Sequence, residues 1–404
     1  MRFPVVPVAG VLVACILPAA AVPAAEAGIL QPVAFDPADG PASPTVYLSA
    51  TLDKPPGEGA GLGERAKVGT AGSTALKVAM AVDYRDRDAE ADVIHLDFSG
   101  AGRFDAKKGI LLAKLPGSRT DYYQATFGPA KVEATRGGKV FPLCVRGRYY
   151  RYKERRRAYV VFTAATAGTC GFGGKAVEVT ALDCSGNFRF QDVPVIKPKT
   201  YGPPKGDLLI VGGVKVVYGQ PVQVGGTWYS VTVSADGTKV SAEPANVSAG
   251  QITCPGTKWE IALATEDHKA LLVPGGRDPV AVPAGTYGLV YYREFSVPDA
   301  SGERATLLSG MIEHYRGKSP TVRVVEGQTA KLSFCSPLAA KITASARSDG
   351  TVRLGMGRPM LTGGISVQSL TRPGAWVFTK PVCPKIRITD EAGKLVDSVV
   401  LEYG

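Results

Sequence analysis

The chain has 404 residues, 45% of them hydrophobic, with 48 glycines, 30 prolines and a formal net charge of +11. That apolar content excludes a disordered chain, and the length suffices for two or three domains of roughly 100 to 200 residues. Glycine and proline at these levels point to many turns between short strands.

Met1-Arg2 is followed by an apolar run from Phe3 to Ala25 without a single charge, which reads as a secretory leader. Ala25-Glu26-Ala27 supplies a small-x-small cleavage site before Gly28, so residues 1–27 are expected to be the signal peptide. A competing reading is Leu12-Val13-Ala14-Cys15, a lipobox-like string that would make Cys15 a lipidated anchor. No later stretch reaches the ~20 apolar residues of a membrane helix. A secreted, periplasmic or cell-surface location is therefore expected. Residues 28–45, rich in proline and glycine, read as an extended arm.

Beyond the arm, periodicity favours strands nearly everywhere. Residues 75–82, 93–98 and 177–182 are short, rich in β-branched or apolar side chains and bounded by polar or glycine-containing turns. Residues 227–234 and 238–241 flank Ala235-Asp236-Gly237, a hairpin signal because Asp-Gly readily supplies positive φ. Ser348-Asp349-Gly350-Thr351 makes a second such turn, and strands 385–389 and 395–400 close the chain. No segment holds helical spacing over three turns. The expected fold is all-β and multi-domain, with antiparallel sandwich or barrel modules: an N-terminal domain over residues 46–246 and a C-terminal Ig-like region over 247–404.

Two loops resemble calcium loops, in which oxygens at positions 1, 3 and 5 converge and glycine at 6 permits the bend. The first offers Asp97, Ser99 and Asp105, but position 5 is Ala101 and position 12 is Lys108. The second offers Asp183, Ser185 and Asn187, with Phe188 in place of the glycine and Pro194 at position 12. These gaps predict weak or vacant calcium sites, and the plainer reading is two polar turns with Phe104 and Phe190 entering the core. No other cofactor is implied.

Residues 145–159 concentrate the charge: Arg146, Arg148, Arg151, Lys153, Arg155, Arg156 and Arg157 against Glu154 alone. Tyrosines interleaved with arginines suit anionic polymers, through charge-assisted pairing and stacking. Export shifts the expected partner from nucleic acid toward cell-wall or other anionic polysaccharide. The plainer reading is a hairpin with a solvated basic tip and tyrosines packed along the sheet.

The strand-Asp-x-Ser-Gly arrangement of both loops is followed by Gly206-Asp207-Leu208-Leu209-Ile210-Val211 and Val224-Gly225-Gly226-Thr227-Trp228-Tyr229. Over roughly residues 83–240 this resembles uncharacterised exported proteins of planctomycete-type bacteria, and departs from them where Gly212-Gly213-Val214-Lys215 replaces an acidic loop. The resemblance implies export and architecture and no reaction. Val282-Pro283-Ala284-Gly285-Thr286-Tyr287, with the run from Val325 to Leu332, looks like the strand openings of bacterial Ig-like and transthyretin-like surface modules.

Six cysteines follow the leader, Cys144, Cys170, Cys184, Cys254, Cys335 and Cys383, and an even count in an exported chain favours disulfides. No Cys-x-x-Cys pair suggests zinc. The three histidines, His95, His268 and His314, fall in no His-Glu-x-x-His, and no Gly-x-Ser-x-Gly elbow occurs. The expected role is a non-catalytic binding or structural protein, the alternative an extracellular hydrolase of carbohydrate or peptide that would require carboxylates assembled by folding.

Overall fold

The computed structural model describes residues 26–36, 46–57, 60, 62, 65–72, 76–84, 91–115, 118, 122–196, 206–254, 258–298, 304–309 and 321–332, with short strands and turns between 338 and 400. The structure is essentially all-β, built of several antiparallel sheets, one of them nearly closed and barrel-like. Among the described residues the only helical element is a 3₁₀ turn, Ala106–Lys108. Of the expected leader, residues 1–27, positions 1–25 lie outside the described residues, while Glu26 and Ala27 begin the first strand.

In chain order, β1 (Glu26–Ala34) and β2 (Val46–Thr51) precede a meander of β3 (Lys67–Gly72), β4 (Lys77–Asp83), β5 (Val93–Asp97) and β6 (Ile110–Leu111). Then come β7 (Ala113–Lys114), the long β8 (Tyr122–Arg136) and β9 (Lys139–Tyr152), β10 (Arg155–Phe162), β11 (Ala164–Phe172) and β12 (Lys175–Asp183). Five strands complete this part: β13 (Leu208–Val211), β14 (Val214–Val217), β15 (Val222–Val224), β16 (Thr227–Val233) and β17 (Lys239–Pro244). The chain then leaves for β18 (Ala249–Thr253), β19 (Trp259–Ala264), β20 (Ala270–Gly275), β21 (Val280–Pro283), β22 (Gly285–Pro298), β23 (Arg304–Ser309), β24 (Thr321–Val324) and β25 (Thr329–Lys331).

An eight-stranded sheet runs β14-β13-β12-β11-β1-β17-β16-β15, and a five-stranded sheet runs β2-β10-β9-β8-β7. Strand β1 joins two halves of the larger sheet: Glu26 to Ile29 pair with β17, Leu30 to Ala34 with β11. Residues 29–34, read from sequence as part of an arm, are thus central to a sheet. Glu26 belongs to the same strand, and its carboxylate accepts the Gly174 amide at 2.8 Å. Leu30, Leu143, Val145, Tyr149, Val160, Phe162, Val179 and Phe190 are among the side chains of one apolar core shared by these sheets. The alternating inward set of each strand is what buries that core, while the other set faces out.

The hairpin at Asp236-Gly237 forms as the spacing predicts, with Gly237 at φ +70. At Pro283-Ala284-Gly285 the tyrosine enters the core, as expected. Tyr287 is buried, and its hydroxyl donates to the Pro283 carbonyl at 2.7 Å, pinning the turn between β21 and β22.

A second seam joins β14 to the sheet of β19, β20 and β22. Ala165, Leu182, Leu208 and Val217 meet Ala262, Leu272, Val290 and Tyr291 there. The Gln220 side chain spans it, accepting from the Leu272 amide at 2.8 Å and donating to the Leu272 carbonyl at 3.0 Å.

The disulfide expectation fails at three positions. Cys144, Cys170 and Cys184 are buried thiols outside any disulfide. Cys170 packs in the large core and donates to the Glu26 carbonyl at 3.2 Å, whereas Cys184 sits in the separate cluster at the β14 seam. Buried this way, Cys170 and Cys184 pack as small apolar side chains. Burial, with the neighbouring Asp207 and Asp183, pushes the Cys184 thiol well above its usual range. At Cys254 the expectation holds: this cysteine is in a disulfide and buried beside Tyr292. Cys335 and Cys383 lie outside the described residues.

Candidate polymer-binding face

The basic segment folds as the β9–β10 hairpin, turned at Lys153, which takes φ +52, and Glu154. Because side chains alternate across a strand, its cations do not share one surface. Register settles the division. Arg155 stands opposite Tyr152, Arg157 opposite Tyr150, and Tyr159 opposite Arg148. On the next strands Tyr122 faces Tyr152, Gln124 faces Tyr150, and Thr51 and Ser49 of β2 face Arg157 and Tyr159. A fourth row holds Arg146, Val161 and Tyr47. Apart from the buried Val161, these residues are exposed or half-buried on the face opposite the core.

Arg151 and Arg156 are opposite each other on the other face, in the row of the buried Tyr123. Arg156 donates to the Glu154 carbonyl at 3.0 Å and to the Tyr84 hydroxyl at 3.4 Å. Arg146 is tied to Asp36, its Nε lying 2.8 Å from a carboxylate oxygen. Of the seven candidate cations, then, Arg155, Arg157 and Arg148 make the outward basic surface, with Arg146 at its margin and Lys153 over the Tyr152 ring at 5.5 Å.

The tyrosines form a connected platform. Tyr150 stacks on Tyr159 with ring centroids 5.6 Å apart and planes at 25°, and Tyr47 lies 5.4 Å from Tyr159. Their hydroxyls meet too, Tyr150 and Tyr159 being 3.1 Å apart. Tyr122 packs edge-on against Tyr152. Tyr47 and Tyr152 remain 47% and 48% exposed, so their faces are open to a ligand. Among the described residues, the three rows from Tyr122 to Ser49 contain no carboxylate.

Protonation reinforces this character. Burial, with the neighbouring Tyr159 and Tyr150, pushes Tyr47 up to about 12. Burial and the bond to Tyr159 raise Tyr150, and a hydrogen bond to Tyr159 raises Arg157 further above its already high value. These shifts favour the neutral form of Tyr47 and Tyr150 and the charged form of Arg157.

The two Asp loops are built alike and close on themselves. One Asp97 carboxylate oxygen accepts the Ser99 amide and hydroxyl at 2.8 and 2.6 Å, the other the Gly102 amide at 2.8 Å. Asp183 repeats the pattern with the Ser185 amide, the Ser185 hydroxyl and the Phe188 amide at 2.9, 3.0 and 2.6 Å. Even the backbone matches: Gly100 and Gly186 take φ +72 and +78, and Gly102 and Phe188 take +72 and +59. Asp105 caps the 3₁₀ turn through the Lys107 amide, and Asn187 bridges the Arg189 amide and Asp192. Among the described residues no three His, Cys, Asp or Glu side chains cluster in a metal-holding arrangement. Phe104 and Phe190 are buried, as the plainer reading of both loops expects.

His95 is buried against Phe104, and His268 lies in the Thr265–Lys269 turn, where Asp267 pairs with Lys269 at 2.8 Å. His314 lies outside the described residues. Sequence reading missed Tyr47, Tyr122, Ser49 and Thr51, because strand pairing across intervals of up to about a hundred residues brings them to the hairpin. Residue type gave no signal that separates the faces, because Arg146, Arg148, Tyr150 and Tyr152 fall on one and Tyr149 and Arg151 on the other.

No family model, curated protein or solved structure matches the chain. The likeness to exported planctomycete-type proteins therefore rests on its motifs alone.

Proposed function

We propose that this is a non-catalytic binding or structural protein of the cell exterior that holds anionic polysaccharide on the outward face of β8, β9, β10 and β2. The carrying observation is the carboxylate-free array of Tyr122, Tyr150, Tyr152, Tyr159 and Tyr47 around Arg148, Arg155 and Arg157. Pyranose rings present apolar faces that lie against tyrosine, while carboxylate or sulfate groups accept the planar guanidinium fork. The uncharged apolar run from Phe3 to Ala25 supports an exterior setting.

The test is retention on immobilised polygalacturonate at low salt. Arg155→Ala/Arg157→Ala should lower affinity about tenfold, through loss of two charge contacts on the outward face. Arg156→Ala, which removes equal charge per site from the opposite face, should leave retention within about twofold of wild type. Equal losses in both variants would show a diffuse charge effect and refute the assignment of the face.

A further inference from the structure

Ser49 and Thr51 belong to two structures at once. On β2, an edge strand of its sheet, they continue the rows of Tyr159 and Arg157. They also form one wall of a cleft of about 920 Å³ that continues over Asp53, Lys54, Thr70 and Arg103. We infer that this cleft is a second subsite of the same binding surface, receiving the sugar units that follow those stacked on the tyrosines. The inference rests on the platform reading and gives it a ligand class, a polysaccharide and not a nucleic acid.

The chemistry of the walls differs from that of the platform. Ser49, Thr51 and Thr70 both donate and accept, Asp53 accepts, and Lys54 and Arg103 donate. A sugar ring needs this mixture, because each hydroxyl is donor and acceptor together. A phosphodiester backbone offers acceptors only and would leave the Asp53 carboxylate without a donor, whereas the hydroxyls of a uronate chain can donate to it. The volume lies within the range of roughly 300 to 1,000 Å³ found for sites that enclose small ligands.

The cleft is also held in shape by backbone contacts. Lys54 and Val68 exchange amide-to-carbonyl bonds of 3.3 and 2.9 Å, fixing the Asp53–Lys54 wall to β3. At Gly69 an added Cβ would lie 2.1 Å from the Thr51 carbonyl oxygen, so β3 rests directly on β2. The third wall, residues 101–103, is strapped by the Asp97 carboxylate through the Gly102 amide. This gives the first Asp loop a purpose that needs no ion: it positions Arg103.

Gly57 provides a clean perturbation, since an added Cβ there meets nothing within 4 Å. A Gly57→Trp side chain would occupy the cleft without disturbing its walls, which a melting curve matching wild type would verify. Lys54→Ala/Arg103→Ala is the second variant, removing the cations without filling space. Affinities would be measured by calorimetry for a galacturonate disaccharide, a long galacturonate oligomer and a thymidine oligonucleotide. Wild type is expected to bind the long oligomer at least about tenfold more tightly than the disaccharide. Both cleft variants should lose most of that increment and keep the disaccharide affinity, whereas Tyr150→Ala/Tyr159→Ala should weaken both saccharides. If the cleft variants bind the long oligomer as wild type does, the cleft inference fails and the platform stands. Absence of saccharide binding by wild type would remove the platform reading itself. Tight oligonucleotide binding that depends on the tyrosines and ignores the cleft would overturn the ligand class.

Discussion

Glu260→Gln is expected to destabilise the protein by about 3 to 5 kcal/mol, as when one partner of a buried pair is removed. Glu260 of β19 and Lys215 of β14 form an ion pair of 2.6 Å, with side-chain exposures of only 1% and 7%. The pair is enclosed at the seam where Leu208 and Val217 meet Ala262, Leu272 and Tyr291. Each charge has given up hydration worth several kcal/mol, and the partner at 2.6 Å offsets part of that cost. Arg293 stands opposite Glu260 in the β19–β22 register, so the same row carries a second cation. Adding Lys215→Met to Glu260→Gln should recover part of the loss, because the stranded ammonium is then gone. Urea unfolding followed by tryptophan fluorescence would measure this, since Trp259 adjoins Glu260, is buried and donates to the Gly276 carbonyl at 2.8 Å. A Glu260→Gln variant within about 0.5 kcal/mol of wild type, the range of ordinary surface changes, would refute the reasoning and mean that water reaches the pair.

Asp207 should make stability fall with rising pH. Burial, aided by the nearby Asp183 and Asp192 carboxylates, pushes its carboxyl up to about 8, so between the ordinary carboxylate range and that value the folded state holds a proton that the unfolded state has lost. The unfolded state binds fewer protons there, which gives a negative slope of at most about 1.4 kcal/mol per pH unit. Asp207→Asn should therefore gain stability relative to wild type between roughly pH 5 and pH 8, and a pH-independent difference in urea midpoints would contradict this. Gly237→Ala should cost about 2 kcal/mol or more, because the residue sits at φ +70 and an added Cβ would lie 2.6 Å from the Phe190 ring. Thermal unfolding with an unchanged midpoint would show that Phe190 moves aside freely.

Short-range signals in the sequence were reliable where one local cause dominated. Asp236-Gly237 turned its hairpin because positive φ is cheap for glycine, and Tyr287 closed the Pro283–Gly285 turn from four residues away. The Asp loops were recognisable as turns, but their calcium-like spacing did not reveal that the carboxylates engage their own backbone amides. Cysteine parity misled at Cys144, Cys170 and Cys184 for a related reason. A count carries no distances, and Cys170 and Cys184 lie in different apolar clusters.

The sequence by itself determined an all-β chain, the place of its main turns and the concentration of charge between Arg146 and Arg157. These follow from local periodicity and backbone preference. Only tertiary structure decided which of those cations face outward together, since a strand sends alternate side chains to opposite faces and only register says what lies beside them. Tyr47, nearly a hundred residues before the hairpin, reached the platform through pairing of β2 with β10. The cleft depends on the same fact, because Ser49 and Thr51 acquire a second neighbour only when β3 folds across β2.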